Sequence, residues 1–111
     1  MKPYELKVRF DDGKEKTYKL CLGNKALYFL EDEFGLTIRE LFTKLKEDLS
    51  IKKFTLIILA SLKKYHPDIT LEEVHDIIDA VGYEKISEVV RHLFESQFQT
   101  TPASKTSTKK R

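Results

Sequence analysis

The chain has one cysteine, Cys21, and no glycine-rich segment. A single thiol cannot close an internal disulfide, and it has no second thiol for a metal site. The four glycines, Gly13, Gly23, Gly35 and Gly82, stand alone at expected turns or helix ends. None belongs to a loop that could cradle phosphate, which argues against a nucleotide site. The acid-x-acid-x-acid-Gly run of a calcium loop does not occur either. Long apolar runs are also missing. The longest, Phe54 to Leu62, is nine residues and contains Thr55 and Ser61, whereas a membrane span needs about 20. Met1 to Lys7 offers no apolar signal-peptide core. The expectation is an intracellular protein without a membrane segment.

What is present describes one globular domain. The 111 residues are 41% hydrophobic and 34% charged, too apolar for a disordered chain. The net charge of +2 averages two unlike parts. Residues 101–111 hold Lys105, Lys109, Lys110 and Arg111 and no acid, a balance of +4. Residues 1–100 hold 16 basic and 18 acidic residues, a balance of −2. This predicts a folded domain over residues 1–100 and a disordered basic tail over 101–111. A body without a net basic field gains little from counterion release, so nucleic acid is a disfavoured partner.

The hydrophobic pattern predicts a mainly α fold: an N-terminal β-hairpin over residues 4–22, then about five short helices packed as a compact bundle. Tyr4, Leu6, Val8 and Phe10 alternate with Glu5, Lys7 and Arg9, the period of a half-buried strand. Asp12-Gly13 is a strong turn pair, and Tyr18, Leu20 and Leu22 share one face of the return strand. Cys21 falls on its other face. From Asn24 the period becomes helical. Ala26, Leu27, Leu30 and Phe34 form a stripe, and Gly35 is a natural stop. Thr37 and Glu40 form a capping box ahead of Ile38, Leu41, Phe42, Leu45 and Leu49. Ser50 caps a third helix carrying Ile51, Phe54, Ile57, Ile58 and Leu62. Leu56 and Leu59 widen that stripe, which makes this helix the central one, and Pro67 ends it. Thr70 and Glu73 form a second box before Val74, Ile77, Ile78 and Val81, with a stop at Gly82. A last helix from about Glu84 carries Ile86, Val89, Val90, Leu93, Phe94 and Phe98.

Reactive chemistry is hard to find in this pattern. His66, His75 and His92 never stand three or four apart, the spacing that puts two metal ligands on one helix face. His66 ends a helix, where positive charge suits the dipole. Glu31-Asp32-Glu33 and Glu72, Glu73, Asp76 and Asp79 read as solvated or partner-facing acids, since nothing sets one of them in an apolar pocket. Cys21 reads as a small hydrophobe. Lys52-Lys53 and Lys63-Lys64 bracket the third helix. The first pair is expected to bridge to Glu47 or Asp48. No catalytic, cofactor or metal residue is expected, and no enzyme.

One ordered series of residues carries a family resemblance. It runs Leu20-Cys21-Leu22-Gly23-Asn24-Lys25-Ala26-Leu27, then Leu30-Glu31, Phe34-Gly35-Leu36-Thr37 and Leu41. It resumes at Thr70, Glu72, Glu73, Val74 and Gly82, and closes on Phe94 and Phe98. The series resembles the small tail assembly chaperones of long-tailed phages, prophages and gene transfer agents, over about residues 4–98. The lysine richness and the cysteine at position 21 depart from that pattern. The resemblance implies a non-enzymatic protein of the bacterial cytoplasm, absent from the mature virion. It implies binding to a tape measure protein, recruitment of tail tube protein, and self-association into a homo-oligomer. Tyr28 and Phe29 fall off the first helical stripe, and Tyr65 and Tyr83 lie at helix ends. Such aromatics either complete a small core or form an interface, and these four are the candidate protein-binding residues. Many of these systems also use a frameshift near the gene's end, and Lys109-Lys110 marks a candidate slip. The alternative function is a small nucleic-acid-binding regulator using the lysine pairs and the basic tail.

Overall fold

A computed structural model describes residues 2–47 and 50–99, with backbone only at residues 46, 47, 98 and 99. The tail 101–111 with Lys109-Lys110, the residues Asp48 and Leu49, and the side chains of Glu47 and Phe98 lie outside the described residues. The proposed bridges from Lys52-Lys53 therefore lie outside them too.

The order is β1 (Tyr4–Arg9), β2 (Glu15–Leu20), α1 (Asn24–Phe34), α2 (Ile38–Glu47), α3 (Ile51–Leu62), α4 (Leu71–Val81) and α5 (Tyr83–Gln99). This is the expected hairpin followed by five helices. Among the described residues, no helix is long and apolar enough to cross a membrane.

The two strands pair antiparallel, with Tyr4 opposite Leu20, Leu6 opposite Tyr18 and Val8 opposite Lys16. Facing residues share a side of the sheet, so Leu6, Val8, Tyr18 and Leu20 make one buried face. Lys16 belongs to that same face, at its rim. The turn is closed by the Gly13 N–H donating to the Phe10 carbonyl and the Phe10 N–H to that of Lys14. Gly13 takes φ 87°, the left-handed residue that follows a tight turn in longer hairpin loops. Asp12 fastens it by accepting from the Lys14 N–H over 2.9 Å.

Cys21 departs from its expected place. The strand ends at Leu20, and the Cys21 N–H donates to the Ser61 carbonyl over 2.8 Å. The thiol is buried because the chain has already turned onto α3. The same bond shortens α3, which stops at Leu62 rather than at Pro67. In a continuing helix the Ser61 carbonyl would accept from Tyr65. With that carbonyl engaged, the Tyr65 N–H turns to Leu62, which also accepts from His66 in the ordinary helical manner. The residue before a proline also resists helical geometry.

Helix α3 is the centre. It packs on α1, α4, α5 and β2 and buries Phe54, Ile57, Ile58, Ala60 and Leu62. Each large apolar side chain so buried contributes about 1.5–3 kcal/mol. Its two buried hydroxyls are satisfied locally, Thr55 donating to Ile51 and Ser61 to Ile58 carbonyls. Ser50 accepts from the Lys53 N–H at its start. Around it, Leu30, Leu41, Val74, Ile77, Ile86, Val89 and Phe94 complete one continuous core. Phe42 of α2 stacks on Phe94 of α5 at 5.6 Å.

Both expected capping boxes form at their threonines, but only one is reciprocal. Glu40 accepts from the Thr37 N–H while Thr37 accepts from the Glu40 N–H. Thr70 accepts from the Glu73 N–H, yet the Glu73 carboxylate does not turn back. It reaches the hairpin instead.

Candidate functional site

Glu73, expected among the solvated or partner-facing acids, is instead the half-buried hub of a polar cluster that ties the hairpin to α4. Its Oε2 accepts from the Tyr18 hydroxyl over 2.7 Å and lies 3.1 Å from Lys16 Nζ. Lys16 can reach because it shares the inner face of β2 with Tyr18. The Tyr18 hydrogen bond holds the Glu73 carboxyl below the usual range, ahead of an opposing contribution from burial. Burial, reinforced by that carboxylate, pushes the Tyr18 phenol above its ordinary value.

His66 joins the same cluster. Its Nε2 accepts from the Lys19 backbone N–H over 3.0 Å, and its ring meets Tyr18 edge-on at 5.4 Å. Burial lowers its pKa first, and the charge of Lys16 adds to this. A ring nitrogen that accepts cannot also carry a proton. His66 is thus a neutral link between hairpin and loop, which corrects the expectation of a charge on a helix end. His92 packs its ring against Tyr4 at 5.0 Å, and His75 is exposed. Among the described residues, no group of three His, Cys, Asp or Glu side chains could hold a metal ion.

The four candidate aromatics do not form one patch. Tyr28 and Phe29 project from α1 with 75% and 38% of their surface exposed. Tyr65 is 38% exposed, and Lys19 Nζ stands 5.9 Å above its ring. Tyr83 is 47% exposed and meets Phe54 edge-on at 4.9 Å, at an interplanar angle of 87°. Phe54 and Tyr65 mark opposite ends of α3, so Tyr83 and Tyr65 serve different regions. Tyr28 keeps the character of a surface side chain, whereas Tyr83 partly completes the core.

Phe29, but not Tyr28, borders a groove of about 780 Å³ between the start of α1 and the end of α3. Ala26, Phe29, Leu59, Ala60 and Pro67 supply its apolar lining, and Lys25, Lys63 and Lys64 its charge. A methyl group built on Gly23 would stand 3.9 Å from Lys64 Nζ, so that ammonium sits over the entry to α1. Gly23 caps α1 without a side-chain hydrogen bond, and no acid occupies the first turn. Positive charge therefore gathers beside apolar surface. Sequence reasoning singled out Phe29 and Lys63-Lys64 separately. It missed Lys25 and Leu59 as their partners, because nothing local links residues 23–29 to 59–67.

A second cavity, of about 730 Å³, lies at the base of the hairpin against α5. Tyr4, Leu20, Leu22, His92 and Leu93 line it.

Compared with known proteins, the chain matches no family model, no curated protein and no solved structure.

Proposed function

We propose that the chain is a tail assembly chaperone of the kind found in long-tailed phages, prophages and gene transfer agents. In this reading it is non-enzymatic and acts in the bacterial cytoplasm. It captures apolar helical segments of a tape measure protein, helps recruit tail tube subunits, and leaves before the virion matures. The ordered motif series supports it, since its parts fall on the hairpin exit, α1, α2 and α4 in the order the family uses. The observation that carries it is Tyr28 beside Phe29, two aromatic side chains exposed on a helix that buries Leu30 and packs Ala26, Leu27 and Phe34 against the core. Exposed aromatics supply large apolar contact at small entropic cost, which is what reversible capture needs.

The test is co-expression with a tape measure protein, the long coiled-coil client this reading implies. That protein should become soluble with the chain present, and Tyr28→Ser should at least halve the gain. So exposed a side chain should change stability by less than about 0.5 kcal/mol, so the helical spectrum stays as it was. A coiled-coil protein no more soluble with this chain than without it sinks the reading. Salt-sensitive retention on DNA that survives deletion of residues 101–111 would replace it with the nucleic-acid-binding regulator. The proposed slip at Lys109-Lys110 is decided by the gene's nucleotides: it needs a run of adenines and an overlapping downstream frame.

A further inference from the structure

The groove beside α1 is basic and apolar, and the same chain carries an exposed face of opposite charge. On α4, Leu71, Glu72, His75, Asp76 and Asp79 are all exposed. At about 100° per residue they occupy one continuous stretch of about 140° of the helix surface. Val74 and Ile77 hold the opposite side in the core. The ion pairs among the described residues are Arg9–Glu15 and Lys16–Glu73. Among the described residues, Lys25, Lys63 and Lys64 are in neither pair, and nor are Glu72, Asp76 and Asp79. Leu71, about half exposed, is an apolar side chain at the head of the acidic row.

We propose that the groove receives the acidic face of α4 from a second copy of this chain. Leu71 would meet the apolar lining around Phe29 and Leu59, while Glu72, Asp76 and Asp79 face Lys63, Lys64 and Lys25. Three charges of each sign, the acids spread over about 10 Å of α4, give the contact both attraction and register. Like-charge pairing of two grooves or two α4 faces is disfavoured by the same charges. Each copy holds both halves of the contact, so association closes as a reciprocal pair or continues from copy to copy. The inference goes beyond client capture and does not depend on it. Tyr28 lies outside the groove lining, so its substitution reads the client and leaves this contact alone.

Sedimentation velocity on the full chain tests it. The chain should form dimers or larger species at low salt and shift toward monomer as salt screens the pairs. Lys63→Glu with Lys64→Glu should weaken association by at least about tenfold. Glu72→Lys with Asp76→Lys should do the same. The two reversed proteins, each weak alone, should associate when mixed, because every contact between them pairs opposite charges. Should a reversed protein lose its helical spectrum, Lys63→Gln with Lys64→Gln and Glu72→Gln with Asp76→Gln take its place, each expected to weaken association alone. A chain that stays monomeric at low salt overturns the proposal. So does association that the substitutions leave unchanged, or a mixture of reversed proteins that remains monomeric.

Discussion

Replacing Glu73 with alanine removes the acceptor on which two hairpin side chains converge, and the two losses differ in weight. The Tyr18 hydroxyl donates to Glu73 from a residue that is fully buried. Without the carboxylate it is left with no acceptor, at about 1–3 kcal/mol. The Lys16 partner is half-exposed, and such a pair contributes about 0.2–1 kcal/mol. The backbone N–H of residue 73 keeps its bond to Thr70, so the start of α4 survives. Glu73→Ala should cost about 1.2–4 kcal/mol in all. Tyr18→Phe leaves the carboxylate facing Lys16 and water and should cost about 0.5–1.5 kcal/mol. With both partners gone nothing is stranded, so the double variant should cost about 1 kcal/mol less than the sum of the singles. Urea unfolding followed by far-ultraviolet circular dichroism measures all four proteins, with the slope of the transition unchanged. A coupling below about 0.3 kcal/mol would refute the argument, since hydroxyl and carboxylate would then act independently. Acid provides a second reading. The Glu73 carboxyl titrates below its ordinary value in the fold, so on acidification the unfolded chain takes up that proton first. The contribution is fully present above about pH 4.3 and is lost as pH falls through the lower folded value. Glu73→Ala should flatten that acid limb.

His66 gives a separate step at milder pH. Its folded value is lowered, so the unfolded chain protonates first near about pH 6.5, and stability should fall as the medium moves from neutral toward pH 5. His66→Gln should shrink that fall, and equal falls in both proteins would show that the link to Lys19 carries no pH dependence. Gly35→Ala should destabilise by about 1–2 kcal/mol, because φ there is 66° and side chains with a Cβ resist the left-handed region. Thermal unfolding would register it, and an unchanged midpoint would contradict the strain argument.

The local code was legible where one segment carries its own answer. The alternation from Tyr4 to Phe10, the stop at Gly35 and the caps at Thr37, Ser50 and Thr70 each act within a few residues, and each lies where the pattern places it. Tyr28 and Phe29 fell off their stripe by simple helical arithmetic, and both are exposed. The misreadings share one cause. Glu73 left its capping box for Tyr18, His66 gave up a charge to accept from Lys19, and α3 stopped early because Cys21 took the Ser61 carbonyl. In each case a partner forty or more residues away outbid the local one. The groove was hidden for the same reason, since its lysines come from α1 and the end of α3.

Those distant partners also set an order of events during synthesis. The hairpin leaves the ribosome before the helices, and Ser61, His66 and Glu73, which fasten it, follow about fifty residues later. At about 5–20 residues per second the delay is roughly 3–10 s. A lone hairpin is marginal in water, so Leu6, Val8, Tyr18 and Leu20 stay uncovered for that interval. Lys7, Arg9 and Lys19 point from the opposite face, and charge there discourages neighbouring nascent chains from adding a strand. The hairpin is made well before the residues that secure it, and its outer cations guard it while it waits.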